Sequence, residues 1–268
     1  MNYFNSDGRR IPSKDLRVFS EVPKNYYRLR QPAIDYSSIL NKSIRFGGVD
    51  PTVSSLQFKT ACESLRAQIK NNPEFENLLK GAHIPFICKR IESVNDLGKD
   101  LELIELPRLQ RSFNERFPDN HFKAILQSNS ELPGSISLDP RARYERFLDS
   151  AHKYTVVGWY FPQALQEFDI ESQRKQMLQL PKLDNFCLSG GIDISAALIG
   201  YPELLISEEF YTPILCMSAY VHSDPRLVLL LKSYGPHMEF WCMTQMLTKD
   251  TTQVSEQWSG GLTFYTSL

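Results

Sequence analysis

No apolar run in the chain approaches the ~20 residues needed to cross a bilayer. The opening residues, MNYFNSDGRR, have no apolar centre of the kind a secretory signal requires. Cysteine is sparse: Cys62, Cys88, Cys187, Cys216 and Cys242 are the only five, and no two stand in a CxxC spacing. That pattern argues against a disulfide framework and points to buried thiols in a reducing, cytoplasmic setting. Histidine is equally sparse, five residues without an HxxxH or HExxH among them, so neither a metal site nor a cofactor is expected. Ser189-Gly190-Gly191 lacks both the lysine of a phosphate loop and the GxGxxG spacing of a dinucleotide site. A net charge of −1 supplies no overall field to draw nucleic acid.

What the chain does contain is globular. Its 268 residues are enough to bury a substantial core, and a 12% aromatic share argues against disorder. The near-zero net charge hides an asymmetry. Residues 1–46 carry nine Lys/Arg against four acids, a surplus of about +5, whereas residues 183–268 carry nine acids against Arg226, Lys232 and Lys249, about −6. A basic front and an acidic back can attract each other within one chain or across a dimer.

Residues 1–45 are polar, studded with aromatics and interrupted by Pro12, Pro23 and Pro32. They read as an N-terminal arm over a body formed by residues 46–268, with a short helix around Tyr36–Asn41. In the body, Asp50-Pro51 is a helix-start signal followed by Phe58, Ala61, Cys62, Leu65 and Ile69 at helical spacing. Pro73–Lys80 suggests a short helix stopped by Gly81, and His83–Arg90 an edge strand containing Pro85. Leu101–Leu106 fits either strand or helix, and Pro107–Phe117 fits a helix. Asp139-Pro140 repeats the cap-plus-proline signal ahead of Tyr144, Phe147, Leu148 and Ala151. Thr155–Phe161 has strand composition, and Pro162 would open a further helix.

The organising stretch is Gly190–Met243. Asp193 can cap an apolar helix, Ile194–Ile199, closed by Gly200. Three strand-like runs follow, Tyr211–Val221, Leu227–Ser233 and Met238–Met246, with Gly261–Thr266 as a candidate last strand. The intervening turns, His222-Ser223-Asp224-Pro225 and Tyr234-Gly235-Pro236, predict an antiparallel meander. The expected fold is therefore α+β: an antiparallel meander sheet in the C-terminal half, flanked by helices.

Candidate site residues gather at these turns. His222 and Asp224 form an i, i+2 pair that could act as a base and its orienting carboxylate, with Arg226 as an anion anchor. The competing reading is an ordinary Asp-Pro turn, which the spacing favours. His237 stands at the other turn. The middle strand would separate the two turns by roughly 20 Å, so they would not share a site. His237 and Cys242 fall on opposite faces of a regular strand, which argues against a nucleophilic pair. Gly190 and Gly191 could offer backbone N–H groups to an anion at a helix start, although Asp193 would compete for them.

His83-Ile84-Pro85-Phe86 entering a strand, Ile192-Asp193 followed by Tyr201-Pro202-Glu203-Leu204-Leu205, and Leu227–Leu231 with Gly235 through Cys242 occur in fixed order. Over about residues 80–245 they resemble an uncharacterised bacterial, mainly actinobacterial, domain family. The resemblance implies a shared fold and brings no activity with it. Two functions stay open. One is a cytoplasmic binding or accessory protein assembling through its basic arm and acidic C-terminal sheet, with a protein partner or a second copy. The other is a hydrolase- or transferase-like enzyme acting on a small molecule, with a pocket between Asp193 and the His222–Arg226 turn.

Overall fold

The computed structural model describes residues 2–13, 26–92, 95–126, 131–244 and 256–268. Helix α1 (Tyr36–Lys42) starts on the Asp35 carboxylate, which accepts the Ser37 and Ser38 N–H groups, and runs into a π turn, Ser43–Gly47. Asp50-Pro51 forms a turn rather than a helix start, because the Asp50 side chain is taken by the N–H and hydroxyl of Thr52. Helix α2 (Ser55–Lys70) begins instead on a capping box in which Ser54 and Gln57 satisfy each other's backbone N–H groups. Its buried face is Phe58, Cys62, Leu65 and Ile69, as the spacing predicts.

Strand β1 (Ile84–Cys88) is followed by α3 (Leu97–Asp100), a π turn (Leu101–Glu105) and α4 (Leu106–Arg116), so the ambiguous Leu101–Leu106 stretch is helical. Then come β2 (Phe122–Leu126), β3 (Ile136–Leu138) and α5 (Tyr144–Lys153). Asp139-Pro140 does not cap α5. Its carboxylate is held by the backbone and guanidinium of Arg141, and the helix starts later, after Arg143 at φ 60°.

Strand β4 (Val156–Gln166) runs straight through Pro162, where a helix was expected. Proline is tolerated because the neighbouring strand bulges there. The register jumps between Gly260 and Leu262, and the Pro162 carbonyl accepts the Ser259 hydroxyl at 2.7 Å. Helix α6 (Ile170–Gln179), capped by Asp169, β5 (Phe186–Leu188) and α7 (Gly191–Gly200) follow. The predicted strand Tyr211–Val221 is broken into β6 (Ile214–Cys216) and β7 (Tyr220–His222), which belong to different sheets. The last strands are β8 (Leu227–Tyr234), β9 (His237–Thr244) and β10 (Trp258–Ser267). Met246, at the predicted end of β9, lies outside the described residues.

The predicted antiparallel C-terminal meander is not what forms. The main sheet has eight strands, ordered β1-β4-β10-β6-β8-β9-β2, with β5 also pairing with β10. It is mixed: β10/β6 and β2/β9 are parallel, and the other pairs are antiparallel. Only β8 and β9 retain the expected hairpin, turning at Gly235 with φ 57°. The physical reason lies in β4 and β10. They are long, almost wholly buried strands, so they take the centre, and β5 and β6 divide the other edge of β10 between them. β3 and β7 make a separate two-stranded sheet.

Side-chain alternation covers both faces of the C-terminal strands. Leu229, Leu231, Phe240 and Cys242 enter the main core, while Val228, Leu230, Trp241 and Met243 join Ile170, Ile214 and Trp258 in a second cluster. Helix α7 is buried on every side, against β1, α1 and α4. That follows from a sequence, GIDISAALIG, whose only polar side chains are Asp193 and Ser195. The arm residues that are described are built in. Phe4 is buried against Phe75, the Arg10 N–H donates to the Ala164 carbonyl, and Arg9 pairs with Glu167 at 3.3 Å.

Candidate functional site

The helix start at residues 190–193 is a sealed polar cluster. Asp193 is 0% exposed. Its Oδ1 accepts the Tyr144 hydroxyl at 2.8 Å and the Gly190 N–H at 2.9 Å; its Oδ2 accepts the Thr263 hydroxyl, which also contacts Ser189 Oγ at 2.8 Å. Burial raises the carboxyl pKa above its ordinary value, and the bonds from Thr263, Tyr144 and Gly190 oppose that shift. Burial likewise pushes the Tyr144 and Tyr160 phenols and the Cys187 thiol well above their ordinary ranges, with the Asp193 charge acting in the same direction.

Asp193 therefore sits inside the first turn and accepts the N–H of the capping residue, rather than capping from outside. The glycines serve packing. A Cβ at Gly190 would come within 2.7 Å of the Tyr144 ring and 2.8 Å of the Tyr220 ring, and one at Gly191 within 2.7 Å of Tyr220. Two rings and a carboxylate occupy the space an anion would need.

The His222 turn is organised by its own backbone. His222 is buried at the end of β7, and its Nδ1 accepts the Asp224 N–H at 2.9 Å. The Asp224 carboxylate turns the other way, to the Arg226 guanidinium (2.7 Å) and the Arg226 N–H (3.0 Å). These bonds hold its pKa down at about 2. Asp224 thus orients Arg226 and not the imidazole, and it consumes the cation that was the candidate anion anchor.

His237 stands at the opposite end of β8, paired in register with Tyr234, whereas the His222 turn leads into Leu227. It joins a residue that had no visible partner in the sequence, His121. The two imidazoles stack at 3.6 Å between centroids and 18° between planes, and His237 Nδ1 accepts the His121 N–H at 3.1 Å. Parallel rings point their in-plane lone pairs past each other, which suits stacking and not chelation. Among the described residues, no group of three or more His, Cys, Asp or Glu could hold a metal ion. All five cysteines are buried and none forms a disulfide.

A concavity with a mixed aromatic and charged lining lies elsewhere, where the arm meets the loop after α7. A cleft of about 350 Å³ is lined by Arg30, Pro32, Tyr201, Glu203, Glu208 and Phe210, among others. Beside it the Arg28 N–H donates to the Tyr211 carbonyl at 3.1 Å, and the Leu29 N–H donates to Gln163 Oε1 at 2.7 Å. Arg28 and Arg30 both lie over the Phe210 ring, at 5.2 and 5.4 Å. Tyr26 and Tyr211 stack at 5.3 Å while remaining 57% and 62% exposed. Arg30 pairs with Glu209 and Lys42 with Glu203. The basic front and acidic back thus meet within one chain, with the acids supplied by a loop rather than by a sheet.

Sequence reasoning missed this seam. Its aromatic residues are adjacent to charges in two segments some 180 positions apart, and the only signal was the charge asymmetry itself. No helix among the described residues is long and apolar enough to cross a membrane. No family model matches the chain, and neither a curated protein nor a solved structure was found to match it. The resemblance to the actinobacterial family rests on the quoted residues alone.

Proposed function

We propose that this is a cytoplasmic binding or accessory protein whose contact surface is the seam between residues 26–32 and 201–211, and that its partner is another protein. The observation that carries the reading is the exposed Tyr26–Tyr211 stack beside the Phe210 ring that Arg28 and Arg30 both cover. Tyrosine and arginine are the residues that dominate protein-interface energetics, because they offer large, amphipathic area with few rotors to freeze. Arg28 and Leu29 are already tied down by the Tyr211 carbonyl and Gln163, so binding would not have to order that stretch. Glu208, exposed in the cleft, pairs with no described residue and remains open to a basic group.

The enzyme alternative draws no comparable support. Its proposed base, orienter and anion anchor are bonded to one another or to backbone, and Asp193 is out of reach of solvent. The test uses the full chain and its Tyr26→Ala/Tyr211→Ala double variant as baits at matched melting temperature. The reading expects a protein retained by the wild type and lost by the variant. Identical captures would overturn it. So would a small molecule that raises the wild-type melting point, a ligand in hundredfold excess over its Kd adding about 2.7 kcal/mol of stability, and that fails to do so in His222→Ala.

A further inference from the structure

The His121–His237 pair shares no residue with the seam and plays no part in the function proposed above. Its position is mechanical. His121 immediately precedes β2, and His237 opens β9. Among the described residues β2 is the last strand of the main sheet, held along one side only, by parallel pairing to β9 from Phe122↔Met238 to Leu126↔Cys242. The ladder begins at the histidines: the His121 N–H donates to His237 Nδ1, and the Met238 N–H donates to the His121 carbonyl at 3.1 Å.

This arrangement requires a neutral His237. Accepting at Nδ1 puts the ring proton on Nε2, and a second proton would turn Nδ1 from acceptor into donor, facing the His121 N–H. The stack adds a second requirement, since two imidazolium rings at 3.6 Å repel each other. The charged groups that face the pair do not offset this. Lys123 of β2 adds positive charge. Glu239 of β9 is the acid among the described residues that acts on His121, and it already accepts the Trp241 indole N–H at 2.7 Å and lies 3.8 Å from Lys232 of β8. α4, which also packs on β2, presents the neutral Gln110, whose amide donates to the Phe122 carbonyl at 3.3 Å.

We propose that His121 and His237 form a pH-sensitive latch that holds the edge strand β2 on the sheet and releases it on acidification. Desolvation, with the His237 and Lys123 charges, lowers the His121 pKa. The sign follows. A histidine held below its free value of about 6.5 takes up a proton more readily once released, so the closed latch is favoured above that pH and weakens as pH falls through it. Release would bare the main-chain groups of β9 that β2 now pairs.

The test is amide hydrogen exchange on the full chain at about pH 7.5 and about pH 5.5, with protection factors corrected for intrinsic rates. The latch predicts that protection across Phe122–Leu126 falls at least about tenfold at the lower pH while β4 and β10 are unchanged. His237→Asn keeps an acceptor near the Nδ1 position without a titrating group and should flatten this response. An unchanged wild-type profile, or the same loss in His237→Asn as in the wild type, overturns the proposal. If His237→Asn leaves β2 unprotected at both pH values, His121→Phe decides the matter. It preserves His237 Nδ1 and the stack but carries one charge fewer, so its loss on acidification must be smaller than the wild type's, and an equal loss overturns the latch.

Discussion

Asp193 invites the sharpest perturbation, because it is a fully buried carboxylate with no described cation within salt-bridge distance and three donors aimed at it. Asp193→Ala removes every acceptor at once. Thr263 can redirect its proton to Ser189 Oγ at 2.8 Å, which leaves the Tyr144 hydroxyl and the Gly190 N–H without partners. Each orphaned buried donor costs about 1–3 kcal/mol, while relief of the carboxylate's own desolvation returns part of that, so a net loss of about 3 kcal/mol is expected. Asp193→Asn keeps an Oδ1 for Tyr144 and Gly190, and its amide can donate to Thr263, so its loss should stay within about 1 kcal/mol. Urea unfolding followed by circular dichroism separates the two. With an m-value of about 3 kcal/mol/M the alanine variant moves the midpoint down by about 1 M and the asparagine variant by a third of that or less. The pH dependence gives a second check. A carboxyl whose folded pKa is raised contributes stability that is fully present below its unfolded value of about 3.9 and is lost as pH rises through the folded value, a slope that Asp193→Asn should lack. Equal losses in the two variants would refute the reasoning, since the negative charge itself, and not the acceptor geometry, would then be what the helix start requires.

Two further substitutions test neighbouring arguments. Arg9→Ala removes one partner of an ion pair whose side chains are each 6% exposed and should lower stability in the same unfolding assay; Arg9→Met/Glu167→Leu should recover part of that loss, because it removes both charges together. Gly190→Ala drives a methyl group to within 2.8 Å of the Tyr144 and Tyr220 rings and should lower stability by about 1–3 kcal/mol. If the glycine were there instead to cradle an anion, added phosphate would raise the wild-type melting point and fail to raise that of Gly190→Ala.

Helix faces were legible in the sequence because their signal is local. Phe58-Cys62-Leu65-Ile69 and Tyr144-Phe147-Leu148-Ala151 bury the sides their spacing dictates. The Leu227–Tyr234/His237–Thr244 hairpin was legible for the same reason, from one turn and two alternating strands. Cap signals were less reliable. Two Asp-Pro pairs resemble helix starts, yet Asp50 and Asp139 are drawn off by Thr52 and by Arg141, and which donor reaches a carboxylate first is decided by the fold around it. The mixed sheet was not legible, since nothing near Gly261–Thr266 marks it as a central strand. Its partners, β4, β5 and β6, come from three distant parts of the chain.

The candidate site divides along the same line, and that division bears on function. Asp224 and Arg226 bond to each other, and Asp224 bonds to His222, all within five residues; the sequence could bring them together, and what it brought together was a turn. Groups joined across long distances are different in kind. Tyr144 and Thr263 reach Asp193 from 49 and 70 residues away, His121 meets His237 across 116, and Arg30 meets Glu209 across 179. Of these, the Asp193 cluster is closed to solvent and can act only on stability. The histidine pair and the arginine–aromatic seam lie where solvent reaches them, the first at the edge of the sheet and the second along a cleft. A proton can reach the one and a partner the other without unfolding the core, and for that reason the functional proposals rest on these two places rather than on the turn residues that the sequence singled out.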